Sequence, residues 1–256
     1  MMAVILAGGL GTRLSEETKD KPKPMVRIGN MPILWHIMKI YSTYGINNII
    51  ICCGYKQEII KEYFSTEFKI SKPIIEQKSF TKIVVEQEKT EPWTITLVDT
   101  GLDTMTGGRL KRIKELIHDE IFCFTYGDTL NDLNILKLID FHKKSETLVT
   151  VTACKPPGKF GILEIKDERV LEFREKPKGD GNWVNGGFFV LNKSVFDYIK
   201  EDSTVWEEEP LQKLVKTNQV SAYKHDGFYQ PMDTIYEKKR LEEMWISNNA
   251  KWKVWK

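Results

Sequence analysis

The sequence predicts an α/β fold whose central sheet is mixed but mostly parallel and is flanked by helices. Two observations support this prediction. Short apolar runs of strand length alternate with stretches whose apolar residues recur at helical spacing. The first run, Ala3–Ala7, is continuously apolar and leads into glycines, which is typical of a strand buried on both faces of a parallel sheet. We therefore expect successive strands to join one sheet.

The first 150 residues carry most of this alternation. Pro32 suits the first turn of a helix over Met31–Thr43, and Gly45 suits its C-terminal stop. The elements predicted after it are strand Asn48–Cys53, helix Lys56–Phe64, helix Gly108–Ile117, strand Ile121–Tyr126, helix Leu133–His142 and strand Leu148–Cys154. Together they indicate a Rossmann-like order of strands and helices.

Residues 74 to 98 interrupt this alternation of predicted strands and helices. Two strand-like runs, Lys82–Gln87 and Thr94–Val98, are separated by Lys89-Thr90-Glu91-Pro92. Such a pair of runs around a proline-containing turn predicts an inserted hairpin, which we call the arm.

The last hundred residues carry shorter elements and form a smaller lobe. The predicted strands are Gly161–Ile165, Val170–Arg174, Val184–Leu191 and Val220–Lys224, and the predicted helices lie near Ser194–Ile199, Pro210–Lys216 and Ile235–Ser247. No linker rich in Pro, Gly or Ser separates the lobe from the first half. We expect one domain over residues 1–256, with two functional halves that meet near residue 150.

Composition excludes several classes of protein. The 38 basic and 36 acidic residues are mixed along the chain and leave a net charge of +2, so no nucleic-acid partner is expected. The sequence has neither a membrane-length apolar run nor a basic segment before its first apolar run, so we expect no membrane partner and no signal peptide.

The four cysteines show no CxxC spacing, which favours inert thiols in a reducing cytoplasm. Cys52 and Cys53 are adjacent and would point to opposite faces of a strand, which argues against a zinc site.

A glycine-rich loop follows the first strand, with the sequence Gly8-Gly9-Leu10-Gly11-Thr12-Arg13-Leu14. Three glycines in four positions let backbone N–H groups approach a phosphate, although an ordinary tight turn is the alternative. A dinucleotide fingerprint would need glycine in place of Leu14, and a Walker loop would end in Gly-Lys-Ser/Thr. The loop therefore matches neither of these two phosphate-binding motifs.

Two cations follow the glycines. Arg13 can grip phosphate oxygens with its planar fork, and Lys23 offers a compact charge for a leaving group. The alternative is that both are solvated loop residues. Their position beside the glycines favours binding of a polyphosphate.

The glycine loop, followed by Lys23 ten residues after Arg13 in Pro22-Lys23-Pro24, resembles the signature of the sugar-phosphate nucleotidyltransferases. Further segments resemble the members of this family that join CTP to glucose 1-phosphate, and this resemblance runs from end to end. The segments are Ala3 to Thr18, Trp35-His36-Ile37-Met38, Asp99-Thr100-Gly101, Met105 to Arg112 and Gln230-Pro231-Met232-Asp233-Thr234.

The resemblance implies transfer of a cytidylyl group from CTP to glucose 1-phosphate, giving CDP-glucose and pyrophosphate. The residues alone leave UTP or dTTP, or another sugar 1-phosphate, open. An inactive nucleotide-sugar-binding regulator is the alternative of a different class. The resemblance also implies a homo-oligomer and a place in cell-surface dideoxysugar synthesis, such as that of the O-antigen of lipopolysaccharide.

The resemblance assigns roles to individual residues. Arg13, Lys23 and Asp128 are expected to be catalytic, while Asp128 and Asp233 are expected to share one Mg²⁺, a metal that takes one or two carboxylates. The expected nucleotide-binding residues are Leu6, Ala7, Gly8, Gly9, Gly11, Thr12, Arg13, Lys23, Thr106, Gly108, Arg109 and Asp128. The expected sugar-phosphate-binding residues are Gly161, Glu175, Lys176, Asn185 and Gly186.

Overall fold

A computed structural model of the chain describes residues 1–67, 75–77, 80–84, 91–156, 158, 162–174 and 182–256. Its strands are β1 Met2–Leu6, β2 Arg27–Ile28, β3 Met31–Pro32, β4 Asn48–Cys53, β5 Ile75–Gln77, β6 Phe80–Val84, β7 Thr94–Asp99, β8 Ile121–Tyr126, β9 Thr129–Asn131, β10 Val149–Cys154, β11 Ile162–Lys166, β12 Arg169–Arg174, β13 Val184–Asn192, β14 Val220–His225 and β15 Tyr229–Pro231. Its α-helices are α1 Ser15–Thr18, α2 Ile33–Thr43, α3 Gln57–Glu67, α4 Thr106–Arg112, α5 Ile135–Ser145, α6 Glu209–Lys216 and α7 Ile235–Ile246.

The central sheet of the described chain has nine strands in the order β14-β10-β13-β8-β1-β4-β7-β6-β5. Strands β13 and β6 run antiparallel to their neighbours, and the other adjacent pairs are parallel. The predicted mixed, mostly parallel sheet is confirmed. Strands from both halves of the chain join it, because β10, β13 and β14 extend the same sheet that begins with β1.

Both faces of the sheet are buried, as the continuous apolar run of β1 predicts. Ala3 and Ile5 belong to one core cluster, whereas Val4 and Leu6 belong to another. Helices cover the two faces and bury the strands between them. The loops that follow β1 and β8 lie at the edge of the sheet where these two strands end.

The cysteines follow the same alternation. Cys52 packs in one cluster and Cys53 in the other, so the two thiols do point to opposite faces. All four cysteines are buried, and none of them forms a disulfide bond. Burial raises the pKa of Cys53 to about 12, which leaves its thiol unreactive.

The arm differs from the prediction. Its second predicted strand, Thr94–Val98, is part of β7, which pairs in parallel with β4 and so belongs to the central sheet. The hairpin partner is nevertheless present, since β6 pairs antiparallel with β7 and places Phe80 opposite Val98. The sequence pattern identified the hairpin but not the parallel partner, because register between distant strands is set by packing of the whole sheet. Residues 85–90 of the arm lie outside the described residues.

Several helix predictions need correction. The helix predicted over Met31–Thr43 begins at Ile33, because Met31–Pro32 forms β3, and the helix predicted over Lys56–Phe64 runs over Gln57–Glu67. The helix predicted to begin at Leu133 begins at Ile135, because the side chain of Asn134 accepts a hydrogen bond from the backbone of Lys137 and caps it. Helix α4 ends at Arg112, and a short 3₁₀ turn, Lys114–Leu116, follows. The helix predicted near Ser194–Ile199 is a 3₁₀ helix over Lys193–Tyr198.

The tryptophan-rich C-terminal segment docks on the body of the protein. Trp252 is fully buried and stacks on Trp245 of α7, with ring centroids 6.3 Å apart. Trp255 meets Trp35 of α2 edge-on at 5.5 Å. The segment therefore ties α7 to α2. No helix of the described chain is both long and apolar enough to cross a membrane.

Candidate active site

The glycine loop and Asp128 lie side by side because β1 and β8 are parallel neighbours. Leu6 is opposite Tyr126 at the ends of the two strands. The chain then enters the glycine loop after one strand and Gly127-Asp128 after the other. Ligands of open α/β sheets bind at this edge, outside the carboxyl ends of the strands.

The glycine loop has a backbone conformation that depends on Gly11. This residue has φ 65° and ψ 31°, in the left-handed region that favours glycine. Thr18 holds the turn by donating its hydroxyl to the carbonyl of Gly11 at 3.0 Å. The chain then passes into a short 3₁₀ helix over Thr12–Leu14, which presents Arg13.

A cavity of about 590 Å³ opens at this edge of the sheet. The predicted site residues that line it are Leu6, Ala7, Gly9, Gly11, Thr12, Arg13, Lys23, Thr106, Arg109, Asp128, Asn185 and Asp233. They come from both halves of the sequence.

Two cations and two carboxylates meet at the cavity. Nζ of Lys23 lies 2.6 Å from Oδ2 of Asp128 and 2.5 Å from Oδ1 of Asp233. Nη1 of Arg13 lies 2.9 Å from Oδ2 of Asp233. The side chain of Lys23 is only 9% exposed, while that of Arg13 is 74% exposed. Lys23 is therefore a fixed charge, and Arg13 is free to swing toward a ligand.

The electrostatic balance at Lys23 favours its charged form. Burial by itself lowers the pKa of this lysine, but the negative charges and hydrogen bonds of Asp128 and Asp233 outweigh burial, so the pKa is raised. The ammonium group thus stays protonated at neutral pH and can interact with phosphate oxygens.

A short antiparallel pair brings Asp233 to the site from the far end of the sequence. Pro231 of β15 pairs with Thr129 of β9, and the backbone N–H of Met232 donates to the carbonyl of Asp128 at 2.9 Å. Helix α7 then begins with a capping box between Thr234 and Glu237. Asp233 is held between these two anchored segments.

The two carboxylates fit a magnesium site that is completed by ligand oxygens. Their oxygens converge on one point, where Nζ of Lys23 bonds to both. Mg²⁺ typically uses one or two carboxylates and takes phosphate oxygens and water for the remainder. Among the described residues, no group of three or more His, Cys, Asp or Glu side chains could hold a metal.

Arg109 lines the cavity, but its terminal nitrogens are occupied by oxygens of the protein. The residue is 4% exposed, and the two nitrogens donate to the carbonyls of Gly8, Cys53, Gly101 and Leu102 and to the hydroxyl of Thr100. These acceptors lie at or just after the ends of β1, β4 and β7. Arg109 therefore braces the glycine loop from behind, and direct contact with a nucleotide stays a prediction.

Three predicted glycines are required for packing. A Cβ at Gly8 would lie 2.2 Å from Nη1 of Arg109, one at Gly108 would lie 2.2 Å from the carbonyl oxygen of Asp202, and one at Gly186 would lie 2.5 Å from Sγ of Cys154. None of these three glycines lines the cavity. Of the predicted sugar-phosphate residues, Gly161, Glu175 and Lys176 lie outside the described residues.

Glu207 was not predicted, yet it lines the cavity. It belongs to the run Glu207-Glu208-Glu209, and the sequence does not show which of the three glutamates faces the cavity. Its Oε2 accepts a hydrogen bond from the hydroxyl of Thr106 at 2.7 Å, and its Oε1 accepts one from the hydroxyl of Tyr126. Tyr126 and Tyr229 are further cavity residues that the sequence did not single out.

Comparison with known proteins places this site in a family. The sequence matches the family described as "Nucleotidyl transferase" over residues 2–253. The chain belongs to the nucleotidyl transferase family. The predicted family is therefore confirmed, and the match extends across both halves of this nucleotidyltransferase.

Curated relatives of this nucleotidyl transferase match over their whole length. The glucose-1-phosphate cytidylyltransferase of Salmonella typhimurium is 55% identical over 256 residues, which covers 100% of both chains. A probable glucose-1-phosphate cytidylyltransferase of Bacillus subtilis is 44% identical with the same full coverage. Among solved structures, HddC from Yersinia pseudotuberculosis has a TM-score of 0.71 at 23% identity and covers 95% of this chain and 98% of that chain. This last likeness supports the fold alone.

Proposed function

We propose that this nucleotidyltransferase transfers a cytidylyl group from CTP to glucose 1-phosphate and forms CDP-glucose and pyrophosphate. The observation that carries the proposal is the convergence of Lys23, Asp128 and Asp233 beside the glycine loop. The choice of CTP and glucose 1-phosphate is supported by relatives that bear this name and are 55% and 44% identical over the full chain.

In the proposed reaction, a phosphate oxygen of glucose 1-phosphate attacks the α-phosphorus of CTP. A new P–O bond forms there, the bond from the α-phosphorus to the bridging oxygen breaks, and pyrophosphate leaves with that electron pair. The second pKa of a phosphate monoester is near 6, so the attacking oxygen is largely ionised at neutral pH. No protein base is needed, and catalysis consists of positioning and charge stabilisation.

Cations are needed because both substrates are polyanions. Two unit charges 4 Å apart at an effective dielectric of 20 repel by about 4 kcal/mol, and several such pairs would block the encounter. Lys23 is buried beside the cavity and is suited to the leaving pyrophosphate, while the exposed Arg13 can fold over the triphosphate.

Asp128 and Asp233 would hold Mg²⁺, which when bound neutralises phosphate oxygens. By resemblance, Lys176 would bind the sugar phosphate, and Glu175, Asn185, Gly186 and Gly161 would surround the sugar. Asn185 lines the cavity on the β13 side of β8, which supports a sugar site there.

The test is release of pyrophosphate from the purified protein with magnesium. We expect release only when CTP and glucose 1-phosphate are both present. A panel that pairs each nucleoside triphosphate with several sugar 1-phosphates then measures specificity as kcat/KM. A protein that binds both substrates by calorimetry but releases no pyrophosphate with any pair would instead be the regulator.

The proposal includes a homo-oligomer in the cytoplasm that acts in cell-surface polysaccharide synthesis. Four buried cysteines without a disulfide bond support a reducing compartment. On the β11–β12 hairpin, Leu163, Ile165, Leu171 and Phe173 are 47–61% exposed, which supports contact with another copy of the chain. Light scattering of the purified protein at several concentrations measures the assembly, and a monomeric mass throughout would remove this part of the proposal.

A further inference from the structure

Glu207 faces the cavity from the turn before α6, and its two neighbours show that it is an acceptor. The hydroxyl of Thr106 accepts a hydrogen bond from the backbone N–H of Trp206 at 2.9 Å, so its own proton is directed to Oε2 of Glu207. The hydroxyl of Tyr126 donates to Oε1. Both carboxylate oxygens therefore accept, and each keeps further acceptor capacity on the cavity side.

The cavity has one end where Arg13 and Lys23 are positively charged and another where Glu207 is negatively charged. The ion pairs described at the cavity join Arg13 and Lys23 to the two aspartates, whereas the hydrogen-bond partners described for Glu207 are the neutral hydroxyls of Tyr126 and Thr106. A phosphate group is repelled by this carboxylate and attracted to the cations. The part of a substrate that meets Glu207 must therefore be a neutral group that donates hydrogen bonds, and a hydroxyl is such a group.

The position of Glu207 in the fold indicates which hydroxyl it meets. Its partner Tyr126 ends β8, and Tyr126 and Asn185 of β13 both line the cavity. In the sheet, β13 and β1 lie on opposite sides of β8, and the glycine loop follows β1. Through Tyr126, Glu207 is linked to the side of β8 that is opposite the glycine loop, and through Thr106 it is linked to the start of α4.

From this geometry we propose that Glu207 is a specificity-determining residue that accepts a hydrogen bond from a hydroxyl of the acceptor sugar. This inference rests on the proposed function, since it assigns a contact within the same reaction. The ribose of the nucleotide is a second source of the same hydroxyl chemistry, and the experiment distinguishes the two.

The experiment combines a variant with substrate analogues that each lack one hydroxyl. Wild-type protein and Glu207→Gln are assayed with CTP and with the 2-, 3-, 4- and 6-deoxy analogues of glucose 1-phosphate, and separately with 2′-deoxy- and 3′-deoxy-CTP. We expect one deoxy sugar to lower the wild-type kcat/KM by about tenfold to a hundredfold, the range of a hydrogen bond to a charged group. Glu207→Gln should show the same loss with glucose 1-phosphate itself and little further loss with that analogue.

Glu208→Gln is the matched control, because Glu208 is the exposed neighbour of the same type. It should keep the wild-type response to every analogue. The inference is overturned if no deoxy sugar costs the wild-type protein tenfold, a result that needs no variant to fold. It is also overturned if Glu207→Gln responds to the analogues as the wild type does, or if its altered response concerns a deoxy-CTP. Loss of the proposed function itself would be seen separately, as no turnover of CTP and glucose 1-phosphate by the wild-type protein.

Discussion

The ammonium nitrogen of Lys23 lies 2.5 Å from a carboxylate oxygen of Asp233, although the two residues are 210 positions apart. The same nitrogen reaches Asp128, so one cation neutralises both carboxylates. Asp128 and Asp233 would hold Mg²⁺ if the metal binds with a triphosphate, and the ammonium of Lys23 would then be available to phosphate oxygens. Exchange of partners at Lys23 would thus couple binding of the metal to binding of the nucleotide.

Replacement of Lys23 tests its role toward the leaving group. We expect Lys23→Met to lower kcat by about a hundredfold to a thousandfold, the usual cost of removing one group that stabilises developing charge. The KM for glucose 1-phosphate should change much less. Steady-state kinetics measure both, and Lys21→Met is a control, because Lys21 pairs only with Glu17 in the described chain. A variant with near-normal kcat would remove the assigned role.

Replacement of Asp233 tests the second metal ligand. Asp233→Asn should raise the magnesium concentration needed for half-maximal rate by about tenfold or more, since even residues outside the ligand set change metal affinity by tenfold to a hundredfold. Binding of Mn²⁺, followed by electron paramagnetic resonance with CTP present, measures the affinity without turnover. The exposed Asp140→Asn on α5 should behave as wild type. Unchanged Mn²⁺ affinity in Asp233→Asn would contradict the assignment.

The sequence predicted most of the sheet because its strands are buried on both faces. Strands β4 and β8 have the predicted bounds, Asn48–Cys53 and Ile121–Tyr126, since each is an apolar run with turn residues at its end. Strands β9 and β15 were not predicted. Each has three residues, and their pairing is imposed by the fold that places Thr129 opposite Pro231.

The candidate site was predictable where a motif marks it. The glycine loop, Lys23 and both aspartates stand in recognisable segments, and the structure brings them to one cavity. Glu207 could not be predicted, since only tertiary packing distinguishes it from the exposed Glu208. The bracing role of Arg109 could not be predicted either, because it depends on carbonyl groups at the ends of three different strands.

Buried His36 makes stability depend on pH. Trp252 donates to Nδ1 at 3.3 Å, so the proton of the neutral ring lies on Nε2, which donates to the carbonyl of Ile28 at 3.0 Å. Burial lowers the pKa of His36 from 6.5 to about 4. Between these values the unfolded chain binds more protons than the folded one. The stability that neutral His36 contributes to the folded state is therefore complete above pH 6.5 and is lost as pH falls toward 4.

At pH 5 the loss from His36 is about 2 kcal/mol, since each unit below 6.5 costs about 1.4 kcal/mol. Urea unfolding at pH 7 and pH 5 measures it as a change in the free energy of unfolding. His36→Asn should be less stable at pH 7 but should lose less between the two values. If the variant and the wild type lose equal stability on acidification, another group is responsible.

Two glycines of the same loop should respond differently to alanine. In Gly8→Ala the new Cβ would lie 2.2 Å from Nη1 of Arg109, so the buried guanidinium must shift and give up bonds to carbonyls. We expect a loss of roughly 1–3 kcal/mol in the free energy of unfolding, the usual cost of overpacking. Gly9→Ala is the matched control, because a Cβ there would meet no described atom within 4 Å.

The double variant Gly8→Ala, Arg109→Ala completes this test. If the clash with Arg109 causes the loss, Gly8→Ala should cost clearly less stability in the Arg109→Ala background than in the wild type. Denaturant unfolding of the four proteins measures the difference between the two costs. Equal costs in both backgrounds would show that Gly8 is needed for another reason, such as the hydrogen bond from the backbone of Tyr55 to its carbonyl, and the bracing of the loop by Arg109 would lose this support.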